Sequence, residues 1–335
     1  MAAGVTPEKI VFANPIKTRS MLRFARKIDV PLMTFDTRCE LEKIKEEFPE
    51  AKLLLRLKVD DSSSRYRLSE KFGATRPEVP ELLSMAQHLG LRVVGVAFHV
   101  GSGSEDQTSF SRAIEWSKEV AQLLPDFGFQ MQMLDGGGGF PGLIDFEDRE
   151  HLFYKMAGVI NQSIELHFPM EETPSLEVIS EPGKYFVASA FRLLTKVVGK
   201  RVSGTEEQPE HVYYLNDGLF GGFLIKMWEP ETVNLSPCLP AALLQKRQSF
   251  PSTVWGPTCD SSDVLFKRQL MKELMVGDFL QVSLQSRAIL RQERSCDRRT
   301  ALVPTQFPCG LPSTGCNDPS SASSWILGHE LPAFG

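Results

Sequence analysis

The sequence predicts an α/β protein: an incomplete (β/α)8 barrel with six of its eight strands, then a mostly antiparallel β domain and a disordered tail. Three observations predict it. Over residues 1–190, short apolar runs alternate with stretches of helical periodicity, which is the pattern of parallel β/α units. Over 191–284, strand-like runs follow one another without helices between them, which marks antiparallel pairing. Over 285–335 the periodicity is lost and Ser, Pro, Arg and Cys accumulate, so that segment has too little apolar surface to order itself.

In chain order, residues 10–13 read as a strand closed by Asn14-Pro15, and 20–27 as a helix carrying Met21, Leu22, Phe24 and Ala25 on its apolar side. The alternation continues with strand 32–35, helix 40–48, strand 52–58, helix 81–89, strand 92–98 and helix 109–124. Strand 131–134, helix 152–167 and strand 176–179 complete it. In strand 52–58, Leu53, Leu55 and Leu57 alternate with Leu54, Arg56 and Lys58, which places Arg56 and Lys58 on one face. A closed barrel of this type needs eight strands, and the first predicted strand begins almost at Met1, so two units are unaccounted for. Further on, 191–202, 211–214, 252–255 and 278–284 read as strands, with 204–210 a polar linker.

Composition excludes several classes of function. The net charge of -5 leaves no basic excess for nucleic acid or for an anionic membrane surface. No stretch is long and apolar enough to span a bilayer and the start has no signal-peptide pattern, so a cytoplasmic location is expected. The six cysteines are scattered without C-x-x-C pairs, so neither a zinc site nor a disulfide scaffold is expected, and no metal is assigned.

In a parallel barrel, chemistry collects where strands end. Strand 131–134 runs into Asp135 and four glycines, Gly136 to Gly139. Bare amides at a strand end, ahead of a helix, favour a phosphate. Other strand ends bring His99-Val100-Gly101-Ser102 and Glu181-Pro182-Gly183-Lys184. A phosphate cradle, an imidazole able to stack and a carboxylate together suit pyridoxal 5'-phosphate, with the carboxylate keeping a pyridinium nitrogen protonated.

The segments Phe98 to Gly103, Leu134 to Gly142, Glu181 to Tyr185, Val187 to Phe191 and Trp255 to Asp260 resemble the ornithine decarboxylase family. Arg67-Leu68-Ser69 and Asn216-Asp217-Gly218 stand in step with them, so the resemblance runs from about Val5 to Leu280. It implies a pyridoxal-phosphate amino-acid decarboxylase of polyamine (putrescine) biosynthesis, working as a head-to-tail homodimer with active sites at the subunit interface. By the same resemblance Gly137, Gly138 and Gly139 would hold the cofactor phosphate and His99 would stack on the ring. Ser102 would hydrogen-bond nearby, Glu181 would bind the pyridinium nitrogen, and Arg67 would belong to the same pocket. Cys259 would assist protonation of the product carbon, and Asp260 would reach the distal amine of an amino-acid substrate across the dimer.

Four departures qualify the resemblance. Lys184 stands where the family has a phosphate-binding arginine, keeping the charge but not the bidentate fork. Trp228-Glu229 replaces the family's Tyr-Asp pair for the substrate amine, which shifts the expected preference toward a shorter or less polar amino acid. The family's Schiff-base lysine lies on a strand upstream of residue 1, and Lys58, at a strand end, is expected to be a solvated lysine rather than its replacement. After Leu280 the resemblance ends, so decarboxylation by these residues alone is not expected. The family also contains antizyme inhibitors, which sequester antizyme without catalysis. The corresponding element maps to about 14–40, where Lys17, Arg19, Arg23, Arg26 and Lys27 form a basic face for an acidic partner.

Overall fold

A computed structural model describes residues 4–104, 106–142, 146–187, 193–227 and 233–284. The first part of the chain runs β1 (Val11–Phe12), α1 (Arg19–Lys27), β2 (Leu32–Phe35), α2 (Arg38–Glu47), β3 (Lys52–Arg56), β4 (Ser64–Tyr66), α3 (Glu78–His88) and β5 (Arg92–Ala97). It continues with β6 (Ser102–Ser104), α4 (Thr108–Leu123), β7 (Met133–Asp135), α5 (Phe146–His167), β8 (Glu177–Ile179) and α6 (Gly183–Val187). The six expected strands are there: β1, β2, β3, β5, β7 and β8 form one parallel sheet in that order, curled into a half-barrel. Each strand lies beside the preceding one because a helix returns the chain over the same face every time.

The sheet's two faces differ as its alternation dictates. Met33, Phe35, Leu53, Leu55, Val93, Val96, Phe98 and Leu134 pack outward against Leu22, Leu41, Ile44, Leu83, Phe110 and Ile114 of the helices. Burying each such side chain is worth about 1.5–3 kcal/mol. Leu32, Leu54, Val94 and Ala97 form a smaller cluster on the inner face. The helices start where their caps dictate: the Thr18 hydroxyl accepts the Met21 N–H and that of Thr37 accepts the Glu40 N–H, both at 3.3 Å.

The rest of the described chain is β9 (Leu193–Gly204), β10 (Pro209–Leu215), β11 (Val233–Pro237), α7 (Ala241–Lys246), β12 (Ser249–Trp255), β13 (Val264–Lys272) and β14 (Phe279–Leu284). These strands form a second sheet in the order β11-β14-β9-β10-β12-β13, antiparallel except where β10 runs parallel to β12. Its core holds Val197, Tyr213, Phe223, Val254, Leu265 and Leu280. His211 is pinned within it, with Nδ1 2.9 Å from the Tyr213 hydroxyl and the ring stacked on Phe250.

Several elements were not expected from the sequence. The polar stretch read as a linker is the tight turn of the β9–β10 hairpin, with Gly204 at φ 88° opposite Pro209. β13 was missed because Lys267, Arg268 and Gln269 in its middle are exposed and break the apolar alternation. The predicted tail, 285–335, lies outside the described residues.

Candidate active site

The C-terminal strand ends of the half-barrel converge on the glycine turn. Asp135 ends β7, and its Oδ1 accepts the Gly137 N–H at 2.9 Å. The Gly136 N–H donates to the Ile179 carbonyl (2.9 Å) and the Glu181 N–H to the Gly137 carbonyl (2.7 Å), so the turn is stitched to the end of β8. A Cβ on Gly137 would lie 2.0 Å from the Phe98 carbonyl, one on Gly138 2.6 Å from His99 Nε2, and one on Gly139 2.8 Å from the Gly101 carbonyl. Gly137 and Gly139 also have positive φ, 59° and 112°. Only glycine satisfies these positions, and the result is a cradle of bare backbone of the kind that holds a phosphate group.

His99 follows β5 and is directed by its own turn. The Gly101 N–H donates to its Nδ1 at 3.0 Å, so the ring proton of the neutral form is on Nε2, beside Gly138. Burial pushes the imidazole down to about 4, with the Arg56 guanidinium adding to the effect and Asp61 opposing it. The ring is therefore uncharged near neutral pH and suited to lie against a flat apolar group.

Apart from Glu181, the charge in this cluster comes from residues that the sequence did not mark as site residues. Arg56 projects from the end of β3, its guanidinium carbon 5.3 Å from the centre of the Phe72 ring. Burial lowers its proton affinity, and Glu181, Asp36, Asp135 and Asp61 act against that. Asp36, after β2, accepts the Gly73 N–H at 2.7 Å and leaves Oδ1 unpartnered. Asp61 accepts the Leu68 and Ser69 N–H groups at 2.6 and 2.8 Å. Asp135 is wholly buried, leaves Oδ2 unpartnered, and is raised first by burial and then by the like charge of Glu181. The available signals were the inner-face position of Arg56 and an aspartate at the end of each of two strands.

This raised carboxyl carries a testable sign. An unfolded Asp ionises near about 3.9, whereas Asp135 holds its proton up to about 7. Between those values the unfolded chain has released a proton that the folded chain retains, so stability falls as pH rises through the window. Asp135→Asn is expected to flatten the dependence of the urea midpoint on pH between about 4 and about 7, and to stabilise the protein above that range. Urea titrations at stepped pH check it.

The other expected site residues fall in different places. Glu181 is exposed at the end of β8, beside the cradle, and Lys184 is exposed on α6. Ser102 is half-buried on β6, opposite Tyr66. Arg67 is exposed, donating to the Ser62 carbonyl at 3.0 Å and lying 3.9 Å from Glu70. Asp61 is buried and holds the Leu68 and Ser69 amides next to Arg67, and the guanidinium of the cluster is that of Arg56. Cys259 and Asp260 are both exposed on the loop between β12 and β13. Trp228 and Glu229 lie outside the described residues.

Two expectations about lysines are corrected. Lys58 does not share the face of Arg56: β3 ends at Arg56, Leu57 pairs with Ala74, and Lys58 lines a cleft beside Arg112 and Trp116 of α4. The break in strand pairing ends the alternation on which the shared face rested. Lys17 is not part of a basic surface, since its side chain is 0% exposed and lies 2.9 Å from Glu40. Arg19, Arg23 and Arg26 are paired with Glu46, Glu47 and Glu50 at and beyond the end of α2, so much of the positive charge of α1 is neutralised within the chain.

Known proteins resemble the chain along most of its length. Residues 1–188 match the family described as pyridoxal-dependent decarboxylase, pyridoxal binding domain. Antizyme inhibitor 2 of Xenopus laevis is 41% identical over 290 residues, and ornithine decarboxylase of Rattus norvegicus is 39% identical over 292. In both cases the match takes in 83% of this chain but only 61% of the relative's length. The crystal structure of the Paramecium bursaria Chlorella virus arginine decarboxylase superposes with a TM-score of 0.73 at 33% identity, covering 84% of this chain and 73% of that one.

Proposed function

The chain belongs to the pyridoxal-dependent decarboxylases of the ornithine decarboxylase family, and from that premise we propose that its site serves, within a homodimer and together with the family's Schiff-base lysine, removal of the carboxylate of a small amino acid. The observation that carries this reading is the glycine cradle set between a neutral imidazole and an acidic cluster. That arrangement fits pyridoxal phosphate: the Gly137–Gly139 turn would hold the phosphate, His99 would lie beside the ring, and Glu181 would accept the pyridinium N–H. When bound, the cofactor supplies a sink for the electron pair released as the substrate's Cα–carboxylate bond breaks.

The remaining roles belong to the protein. Arg56 supplies the positive charge beside the cradle, with the carboxylates of Asp36, Asp61 and Glu181 acting on it. By the resemblance, Cys259 returns a proton to the substrate's Cα and Asp260 holds the distal amine, with Trp228-Glu229 standing in the sequence where the family has Tyr-Asp. The expected preference is then for an amino acid shorter or less polar than ornithine. The test is cofactor binding by absorbance, followed by release of labelled CO2 from ornithine, lysine and leucine; ornithine as the clear best substrate overturns the shifted preference. A second reading, an antizyme-binding homologue without catalysis, is supported by the likeness to Antizyme inhibitor 2. Capture by antizyme through residues 14–40, with no CO2 release from any substrate, favours it.

A further inference from the structure

The β12–β13 loop that presents Cys259 and Asp260 is held from below by a buried group with no assigned role. The Asp263 side chain is buried at 0% exposure. Its Oδ1 accepts the Leu219 N–H at 2.8 Å, and its Oδ2 accepts the Thr258 N–H at 3.1 Å and the Thr258 hydroxyl at 2.7 Å. Its backbone closes the same loop: the carbonyl accepts from Gly256 at 2.9 Å, and the N–H donates to the Asp260 carbonyl at 3.1 Å. Both approaches are kept clear by glycine, since a Cβ on Gly218 or on Gly256 would lie 2.3 Å from Oδ1.

Leu219 belongs to a second loop, 216–223, which Asp217 orders by accepting the Gly218 and Gly222 N–H groups at 2.8 and 3.0 Å. We infer that Asp263 is a positioning residue that fastens the loop bearing Cys259 and Asp260 to the 216–223 loop, setting the place of those two side chains. The substrate role of those side chains rests on the reading under Proposed function; the fastening does not.

The chemistry demands a carboxylate. Both arms must accept hydrogen bonds at once, and an amide accepts on one arm only. Burial pushes the Asp263 carboxyl up, but the hydrogen bonds from Thr258 and Leu219 outweigh it, so the group is held below its ordinary value despite the charge of Asp260 nearby. An ionised carboxylate with three donors is a strong fastening, since charged hydrogen bonds are roughly twice as strong as neutral ones.

The test uses the full chain and needs no turnover. It measures hydrogen exchange at the Leu219 and Thr258 amides and the rate at which iodoacetamide alkylates Cys259. Asp263→Asn is expected to raise exchange at one or both amides by about tenfold or more and to change the alkylation rate severalfold, with Leu54 and Val96 in the parallel sheet unaffected. Should that variant not fold, Thr258→Val removes only the hydroxyl donor. It is expected to change Cys259 alkylation while Leu219 exchanges at the wild-type rate, and Thr258→Ser, which keeps the donor, is expected to restore alkylation. Unchanged alkylation and exchange in a folded Asp263→Asn protein overturn the inference, as does unchanged alkylation in Thr258→Val. Lack of decarboxylase activity counts only against the functional reading.

Discussion

Gly137→Ala is expected to cost about 3 kcal/mol or more and to abolish cofactor binding, because two independent penalties fall on one atom. The added Cβ would sit 2.0 Å from the Phe98 carbonyl and 3.0 Å from the His99 Cα, and backbone on that side is held by the hydrogen bond of Phe98 to Asp135. The residue also has φ 59°, where an L side chain adds strain. Gly128→Ala separates the two effects, since Gly128 has φ 77° but its nearest neighbour to a Cβ is 3.9 Å away. That control is expected to lose only about 1 kcal/mol. Urea unfolding and equilibrium dialysis against pyridoxal phosphate measure both variants. Equal losses at the two positions would mean that the turn yields and that the cradle is not rigid.

The second large effect is expected at the Lys17–Glu40 pair, which joins the turn after β1 to α2. Both side chains are 0% exposed, 2.9 Å apart, and Lys43 approaches the other Glu40 oxygen at 2.5 Å. Lys17 Nζ also donates to the Thr34 carbonyl at 2.6 Å, two residues before Asp36 of the acidic cluster. Burial lowers the proton affinity of Lys17, and the charge of Glu40 works against it. Glu40→Gln removes that charge and strands a buried ammonium, for which about 3–5 kcal/mol of destabilisation is expected. Combining Lys17→Met with Glu40→Leu removes both charges at once and is expected to cost clearly less than Glu40→Gln alone. Thermal and urea unfolding of the wild type, Lys17→Met, Glu40→Leu and the double variant form the cycle, with Glu40→Gln measured beside them. A double variant as unstable as the sum of its parts would mean that the hydrogen bonds to backbone, not the pairing, carry the energy.

Local features of the chain were readable because their causes are local. The Leu53, Leu55, Leu57 alternation marks a strand, and a run of glycines signals close backbone approach. For the same reason the six parallel strands, the cradle at 137–139, His99 and the pyridoxal-phosphate reading all followed from sequence, the last with the help of resemblance. Where alternation failed, as in the exposed middle of β13, the strand was missed.

What only the tertiary structure decided concerns partners far apart in the chain. Asp36, Arg56, Asp61, Asp135 and Glu181 have no shared motif, and they form one electrostatic cluster only because a parallel sheet brings successive strand ends to the same side. Lys17 and Lys58 look alike as exposed lysines in sequence, yet one is buried on Glu40 and the other turns toward α4. Sequence determines which backbone conformations and faces are available, since these depend on neighbours a few residues away. Charge balance and burial depend on distances across the fold, and Coulomb and desolvation energies are set only once those distances exist.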